Sequence, residues 1–322
     1  MAIDLIGLDI GGTKCAVSYG VQQGSDLDIQ DVVRFNTIDR EGTLGLIFQH
    51  VADILERHAL GAENVKAIGV SCGGPLNVHT GTIQAPPNLP NWDNVPIVDL
   101  LENRFGIRAA LQNDANASAL AEWRFGAGQG TQHMAYLTFG TGLGAGLILD
   151  GRIYTGANGN AGELGHIRLS DHGPVGYGKS GSFEGFCSGS GIAQIARTAV
   201  LERWQRGESV AWCNPGELPN ITAQLVAQEA HAGNALALSV IKTSATYLGR
   251  GLAMLIDLLN PELIVVGGIY TRNSELMEPW VLDIVRAEAL GRAVAACAIR
   301  PSLLKERIGD YAALSVAANL GE

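Results

Sequence analysis

Short apolar runs without helical spacing alternate along this chain with longer stretches in which apolar residues return every third or fourth position. That is the pattern of strands interleaved with amphipathic helices. Ile3 to Ile10 is the first run; it breaks at Gly11-Gly12-Thr13-Lys14 and resumes from Cys15 to Tyr19, which reads as strand, glycine turn, strand. The unit recurs from Thr138, with a turn through Gly140, Gly142, Gly144 and Gly146, the apolar run Leu147 to Leu149, and a tight turn at Asp150-Gly151. Two occurrences of one supersecondary unit predict a duplicated architecture.

Between the two units, Leu44, Ile47, Phe48, Val51, Ile54 and Leu55 predict a helix with Thr43 as N-cap, ending before Gly61. Val65 to Val70 predicts a buried strand that runs into Ser71-Cys72-Gly73-Gly74-Pro75. The segment from Ala85 to Trp92 holds too much proline for a helix or a central strand and reads as a shaped loop. Ile107 to Leu111 is another short strand, followed by Asn113-Asp114-Ala115-Asn116 and a helix through Ala117, Leu120, Ala121 and Arg124. Downstream, Ser188 or Ser190 and then Thr222 open helices, and a long helix runs from Ala235 to Leu259, stopped by Asn260-Pro261. Leu263 to Val266 is a strand ending in Gly267-Gly268, and helical spacing returns at Leu276 to Leu290 and Tyr311 to Leu320. The alternation predicts an α/β fold, in which ligands bind beyond the carboxyl ends of the strands.

Length and composition narrow the class. The 322 residues provide for two domains, and 47% hydrophobic content supports a packed core. The net charge of -10 and the absence of clustered Lys and Arg argue against a nucleic-acid partner. Cys15, Cys72, Cys187, Cys213 and Cys297 are odd in number and never in a C-x-x-C pair, so they read as free thiols of a reducing cytoplasm. No secretory signal and no membrane-spanning run is expected.

The candidate chemistry lies in the glycine turns and in the polar residues beside them. Turns of this kind offer successive free N–H groups to an anion, and a phosphate is the natural occupant. Asp9 stands immediately before the first turn, where a carboxylate either bonds its own turn or faces phosphate through Mg²⁺. Lys14 reads equally as a phosphate contact or a solvated turn residue. Asn113, Asp114, Glu163, His166 and Glu184 sit among small and apolar neighbours, the convergent donors and acceptors that a polyhydroxylated ligand needs. Asp114 is placed either to cap the helix that follows it or to take a proton from an attacking hydroxyl. His166 is either a satisfied core histidine or a ligand contact; His172 and His231 show no partner pattern.

D-I-G-G-T-K at Asp9 to Lys14, N-D-A-N at Asn113 to Asn116 and the block from Gly140 to His166 together resemble the ROK family of repressors, open reading frames and kinases. The resemblance runs from Ile6 to about Gly268. It implies a duplicated actin-like, hexokinase-like ATPase fold with two lobes around a cleft. The lobes are expected at residues 1–115, with a C-terminal helix at 303–322 packing back on them, and at 116–302. It further implies ATP and Mg²⁺ as cofactors and a small sugar as acceptor. On this pattern Asp114 is the catalytic base, and Gly74, Asn88, Asn113, Glu163, His166 and Glu184 hold the sugar. Asp9, through a Mg²⁺-bound water, Gly11, Gly12, Thr13, Lys14, Thr141 and Gly142 face the phosphates, with Gly267 and Gly268 near the adenosine. A cytoplasmic homodimer is the family habit.

One family motif is missing. The zinc-binding pattern C-x-C-G-x-x-G-C-x-E places its cysteines where this chain has Val175, Tyr177 and Ser182, while Gly178, Gly181 and Glu184 stay. No zinc site is therefore expected, and packing by Tyr177 and Phe183 takes over the positioning of His166. The resemblance implies an ATP-dependent hexose kinase of glucokinase type, with an N-acetylmannosamine or N-acetylglucosamine kinase as the alternative. A sugar-responsive repressor is disfavoured, because such members carry a helix-turn-helix ahead of a first strand that here starts at residue 3.

Overall fold

The computed structural model describes residues 2–321. In chain order the elements are β1 (Ala2–Ile10), β2 (Lys14–Gln23), β3 (Asp26–Asn36), α1 (Arg40–Arg57), β4 (Val65–Cys72), the two-residue strands β5 (Leu76–Asn77) and β6 (Thr82–Ile83), α2 (Ile97–Phe105), β7 (Ala109–Asn113) and α3 (Asp114–Phe125). There follow β8 (Met134–Phe139), β9 (Leu143–Leu149), β10 (Arg152–Tyr154), β11 (Val175–Gly176), β12 (Lys179–Ser180), α4 (Phe183–Phe186), α5 (Gly189–Gln205), α6 (Ala223–His231) and α7 (Ala235–Leu259). The chain closes with β13 (Leu263–Val266), α8 (Ile269–Arg272), α9 (Ser274–Glu288), α10 (Gly291–Ala296), β14 (Ala298–Pro301) and α11 (Ile308–Asn319).

The duplication is written in the sheets. One has the order β3-β2-β1-β4-β7 and the other β10-β9-β8-β13-β14. In the first, β1 pairs antiparallel with β2 and parallel with β4, and β4 pairs parallel with β7. In the second, β13 pairs parallel with both β8 and β14, and β10 pairs antiparallel with β9. Each sheet is thus a meander of strands joined through a tight turn, extended by parallel strands that need helical crossovers.

The chain divides into two compact units. The first comprises the residues up to Thr131, Gly146–Ala161 and the residues from Leu303 onward; the second comprises Gln132–Ala145 and Gly162–Ser302. This division differs from lobes split after residue 115, and the reason is packing. β7 runs straight into α3, and α3 lies against α11, which also covers β1 and β4. α11 is buried from Tyr311 to Ala318, as a helix apolar on all sides must be. The first unit's core joins Ile6, Leu8, Val17, Ile47, Val51, Ile68, Val70 and Trp92, all at most 1% exposed. Among the described residues no helix is long and apolar enough to cross a membrane.

Several local expectations shift. α1 starts three residues before Thr43, capped by Asp39, whose side chain accepts from the Gly42 N–H; Thr43 is buried in the helix. The second glycine turn is confined to Gly140–Gly142, because Gly144 and Gly146 are strand residues of β9. His231 has a partner, its Nε2 lying 3.2 Å from the Asn273 Oδ1.

Candidate active site

Three parallel strands of the first unit end side by side, and that alignment assembles its candidate residues. Asp9 pairs with Ser71, Ile10 with Cys72, and Cys72 with Asn113, so Asp9, Gly73-Gly74 and Asn113-Asp114 emerge at one sheet edge. This is where an open α/β sheet places a ligand. The proline-rich loop folds back to the same edge. A Cβ on Gly12 would stand 2.3 Å from the Asn88 carbonyl oxygen, so only glycine lets the first turn lie against that loop. A Cβ on Gly74 would meet the Asn113 Nδ2 at 3.6 Å. Gly11, Gly12 and Thr13 form the turn between β1 and β2; the Gly11 N–H donates to the Lys14 carbonyl at 3.1 Å, and Lys14 opens β2 exposed.

Asn113, not Asp114, caps α3: its Oδ1 accepts from the Ala115 N–H at 2.9 Å. Asp114 is the first helical residue and its Oδ1 accepts from the same N–H at 2.8 Å. With the cap taken by its neighbour, Asp114 keeps its second carboxylate oxygen, and it is solvent-exposed. Protein packed around its exposed face still strips solvation from the carboxyl and raises its pKa, opposed by the N–H groups of Ala115 and of Asp114 itself.

Asp9 is half-buried and faces two further carboxylates. Burial first, then the charges of Asp114 and Asp310, push its pKa up to about 7, and Arg34 only partly offsets them. Arg34 is itself engaged with Asp310, donating to both oxygens at 2.7 and 2.5 Å. The start of α11 adjoins the same carboxylate, a Cβ on Gly309 standing 3.1 Å from the Asp9 Oδ2. Sequence reading missed Arg34 and Asp310, since nothing local ties them to a site more than one element away.

The second unit collects its own set. The turn from Gly140 to Gly142 closes with the Gly140 N–H donating to the Gly142 carbonyl at 3.0 Å. Gly268, at φ +61°, lies beneath it, where a Cβ would come within 2.2 Å of the Phe139 carbonyl oxygen. Gly267 donates its N–H to the Leu137 carbonyl at 2.8 Å, continuing β13 along β8. Ser190 also reaches the turn, its Oγ donating to the Thr141 carbonyl at 3.3 Å, while Ser188 caps α5 by accepting from the Gly191 N–H. Ser190 reads in sequence only as a cap candidate.

Glu163 is exposed and precedes a short 3₁₀ turn, Leu164–His166. His166 is half-buried, and Tyr177 meets it edge-on, with ring centroids 5.0 Å apart at 87°. Tyr177 and Gly178 form the two-residue turn of the β11–β12 hairpin, both at positive φ, of 43° and 76°. Such a turn matches strand twist but strains a tyrosine. Lys179 then donates from Nζ to the His166 carbonyl at 2.7 Å. Phe183 is 1% exposed and packs where Gly251 of α7 leaves room, and its N–H donates to the Ile167 carbonyl, next to His166, at 2.8 Å. Glu184 follows it in α4, and its Oε2 accepts from the Leu143 N–H at 3.0 Å.

Among the described residues no group of three or more His, Cys, Asp and Glu is gathered as for a protein-caged metal. Asp9 does suit Mg²⁺: it is a hard oxygen donor among acidic neighbours, and Mg²⁺ favours one or two carboxylates with waters and substrate phosphates over a full protein cage.

The chain matches the ROK family over residues 5–320 and belongs to it. It is 34% identical over 310 residues to a glucokinase of Halalkalibacterium halodurans, covering 94% of this chain and 92% of that one. A ROK hexokinase structure from Thermus thermophilus aligns at a TM-score of 0.79 and 28% identity, over 99% of this chain and 98% of the other. A ROK family glucokinase from Streptomyces griseus, solved in complex with glucose and AMPPNP, aligns at 0.75 and 30% identity over 98% of each chain. The two sheets of equal topology are those of the duplicated hexokinase-like, actin-like α/β fold.

Proposed function

We propose that this protein transfers the γ-phosphoryl group of ATP to a hydroxyl of a free hexose, with glucose the substrate and Asp114 the general base. The class is that of an ATP-dependent sugar kinase, in keeping with its glucokinase relatives and the sugar- and AMPPNP-bound structure. The observation that carries the finer reading is the position of Asp114. It is a carboxylate of raised proton affinity at a strand end shared with Asp9 and Gly74, and it is released from capping by Asn113.

In this reading Asn88, Asn113, Glu163, His166 and Glu184 orient the sugar, with Gly74 letting the ring lie close to the backbone. The hydroxyl oxygen attacks the γ-phosphorus and its proton passes to Asp114, while the bond to the ADP oxygen breaks. The turns at Gly11-Gly12-Thr13 and Thr141-Gly142 present N–H groups to the phosphates, and Gly267-Gly268 admit the adenosine. Catalysis of this kind rests on positioning and charge neutralisation. When bound, Mg²⁺ would neutralise phosphate charge, and Asp9 is the residue to hold it through water. No zinc enters the scheme.

A panel of hexoses and N-acetylhexosamines, followed by ADP release and by mass spectrometry of the product, tests the proposal. Glucose should give a hexose monophosphate, and Asp114→Asn should lower kcat by about 10²–10⁴-fold while glucose still binds in calorimetry. ADP release that needs no sugar and survives Asp114→Asn rejects the mechanism. Preference for an N-acetylhexosamine over glucose would reassign the substrate and leave the base in place.

A further inference from the structure

Glu184 does something that an acceptor-site carboxylate has no need to do. Its Oε2 accepts a hydrogen bond from the Leu143 N–H, the first amide of β9 and the one that directly follows the Gly140–Gly142 turn. The contact is tightly built. A Cβ on Gly142 would stand 2.7 Å from that same oxygen, and a Cβ on Gly165 would stand 2.4 Å from the Leu143 carbonyl oxygen and 3.3 Å from the Glu184 Cβ. On its other side Gly176 lies against the Glu184 backbone, where a Cβ would come 2.9 Å from the Glu184 Cβ. Three backbones therefore converge on one side chain, and the glycines are what let them approach. Ser182 holds the start of α4, its Oγ accepting from the Gly185 N–H at 3.1 Å, so the carboxylate has a fixed origin.

We propose that Glu184 is a positioning residue for the phosphate-facing turn as well as a sugar contact: one carboxylate oxygen pins Leu143, and the other is left for a substrate hydroxyl. The sugar arm rests on the proposed function; the turn arm does not. A carboxylate bonded to a backbone N–H is a charge-assisted contact, stronger than a neutral one. Placing a sugar hydroxyl on the second oxygen polarises the group that orders the turn, so acceptor occupancy and nucleotide affinity become linked through a single side chain, in both directions.

The test compares Glu184→Ala and Glu184→Gln in the full chain. AMPPNP affinity is measured by calorimetry with Mg²⁺ and no sugar, together with amide exchange of the peptide spanning 140–145. A glutamine carbonyl still accepts from Leu143 but without the charge, so Glu184→Gln should fall between the parent and Glu184→Ala, whereas Glu184→Ala should weaken AMPPNP about tenfold and speed exchange in that peptide. Sugar KM should rise in both. If Glu184→Ala binds AMPPNP as the parent does, or more tightly, the turn role is wrong. Should Glu184→Ala fail to fold, Gly142→Ala keeps the carboxylate but forces it aside. It should then raise the KM for sugar as well as for ATP, and a change confined to ATP overturns the proposal. Because the AMPPNP measurement contains no sugar, a wrong hexose assignment and a wrong role for Glu184 give different results.

Discussion

Asp9 shows how much of this site is electrostatic compromise at single residues. Its carboxyl ordinarily titrates near the 3.8 of a free side chain, yet in the fold it reaches about 7, with burial the largest cause and Asp114 and Asp310 next. A raised folded-state pKa means the folded chain holds a proton that the unfolded chain has released. The stabilisation from protonated Asp9 is therefore complete below pH about 4 and is lost as pH rises through about 7. Without nucleotide, Asp9→Asn should melt above the parent at pH 8, and the gap should narrow at pH 5.5 and close only near pH 4. Equal melting curves at pH 8 would show that the carboxylate is not strained. The same substitution should impair phosphoryl transfer, so stability and activity move in opposite directions, the usual mark of a residue retained for chemistry.

At the scale of elements, the β11–β12 hairpin stands where the chain lacks the zinc-motif cysteines. At two of the positions where the resemblance implies cysteines, Val175 opens β11 and Tyr177 begins the two-residue turn Tyr177-Gly178, with its aromatic ring against His166. Tyr177 is 70% exposed and sits at φ +43°, an expensive position for a ring that contributes only to packing. The edge-on contact accounts for its presence. Tyr177→Ala should raise the KM for sugar roughly threefold to tenfold with a smaller change in kcat, and Tyr177→Phe, which keeps the ring, should stay near the parent. A silent Tyr177→Ala would leave Lys179, bonded to the His166 carbonyl, as the support for that segment.

For the whole molecule, metal dependence separates a nucleotide-borne ion from a built-in one. In the proposed scheme Asp9 is the one carboxylate that holds the nucleotide's Mg²⁺, and among the described residues no protein cage of three or more ligating side chains forms. EDTA treatment should therefore abolish phosphoryl transfer, and Mg²⁺ alone should restore it fully. The folded state should melt at the same temperature before and after chelation, because no structural ion is removed. Recovery that requires zinc would overturn this account.

Strand and helix periodicity made much of the architecture legible. The long helix Ala235–Leu259 and the strand Leu263–Val266 stand where apolar spacing and Asn260-Pro261 put them, and the repeated strand-turn-strand unit announced two sheets of one topology. Both are local or nearly local properties, set by side-chain period and by what proline forbids. Assignment of the α3 cap to Asn113 turned on one hydrogen bond, which spacing could not choose between adjacent residues. The engagement of Arg34 with Asp310 and the hold of Glu184 on Leu143 join segments far apart in sequence. The residues by themselves determined the fold class and which side chains have the right chemistry. Only the tertiary structure decided which of them touch, because strand register and helix packing set distances that no local pattern encodes.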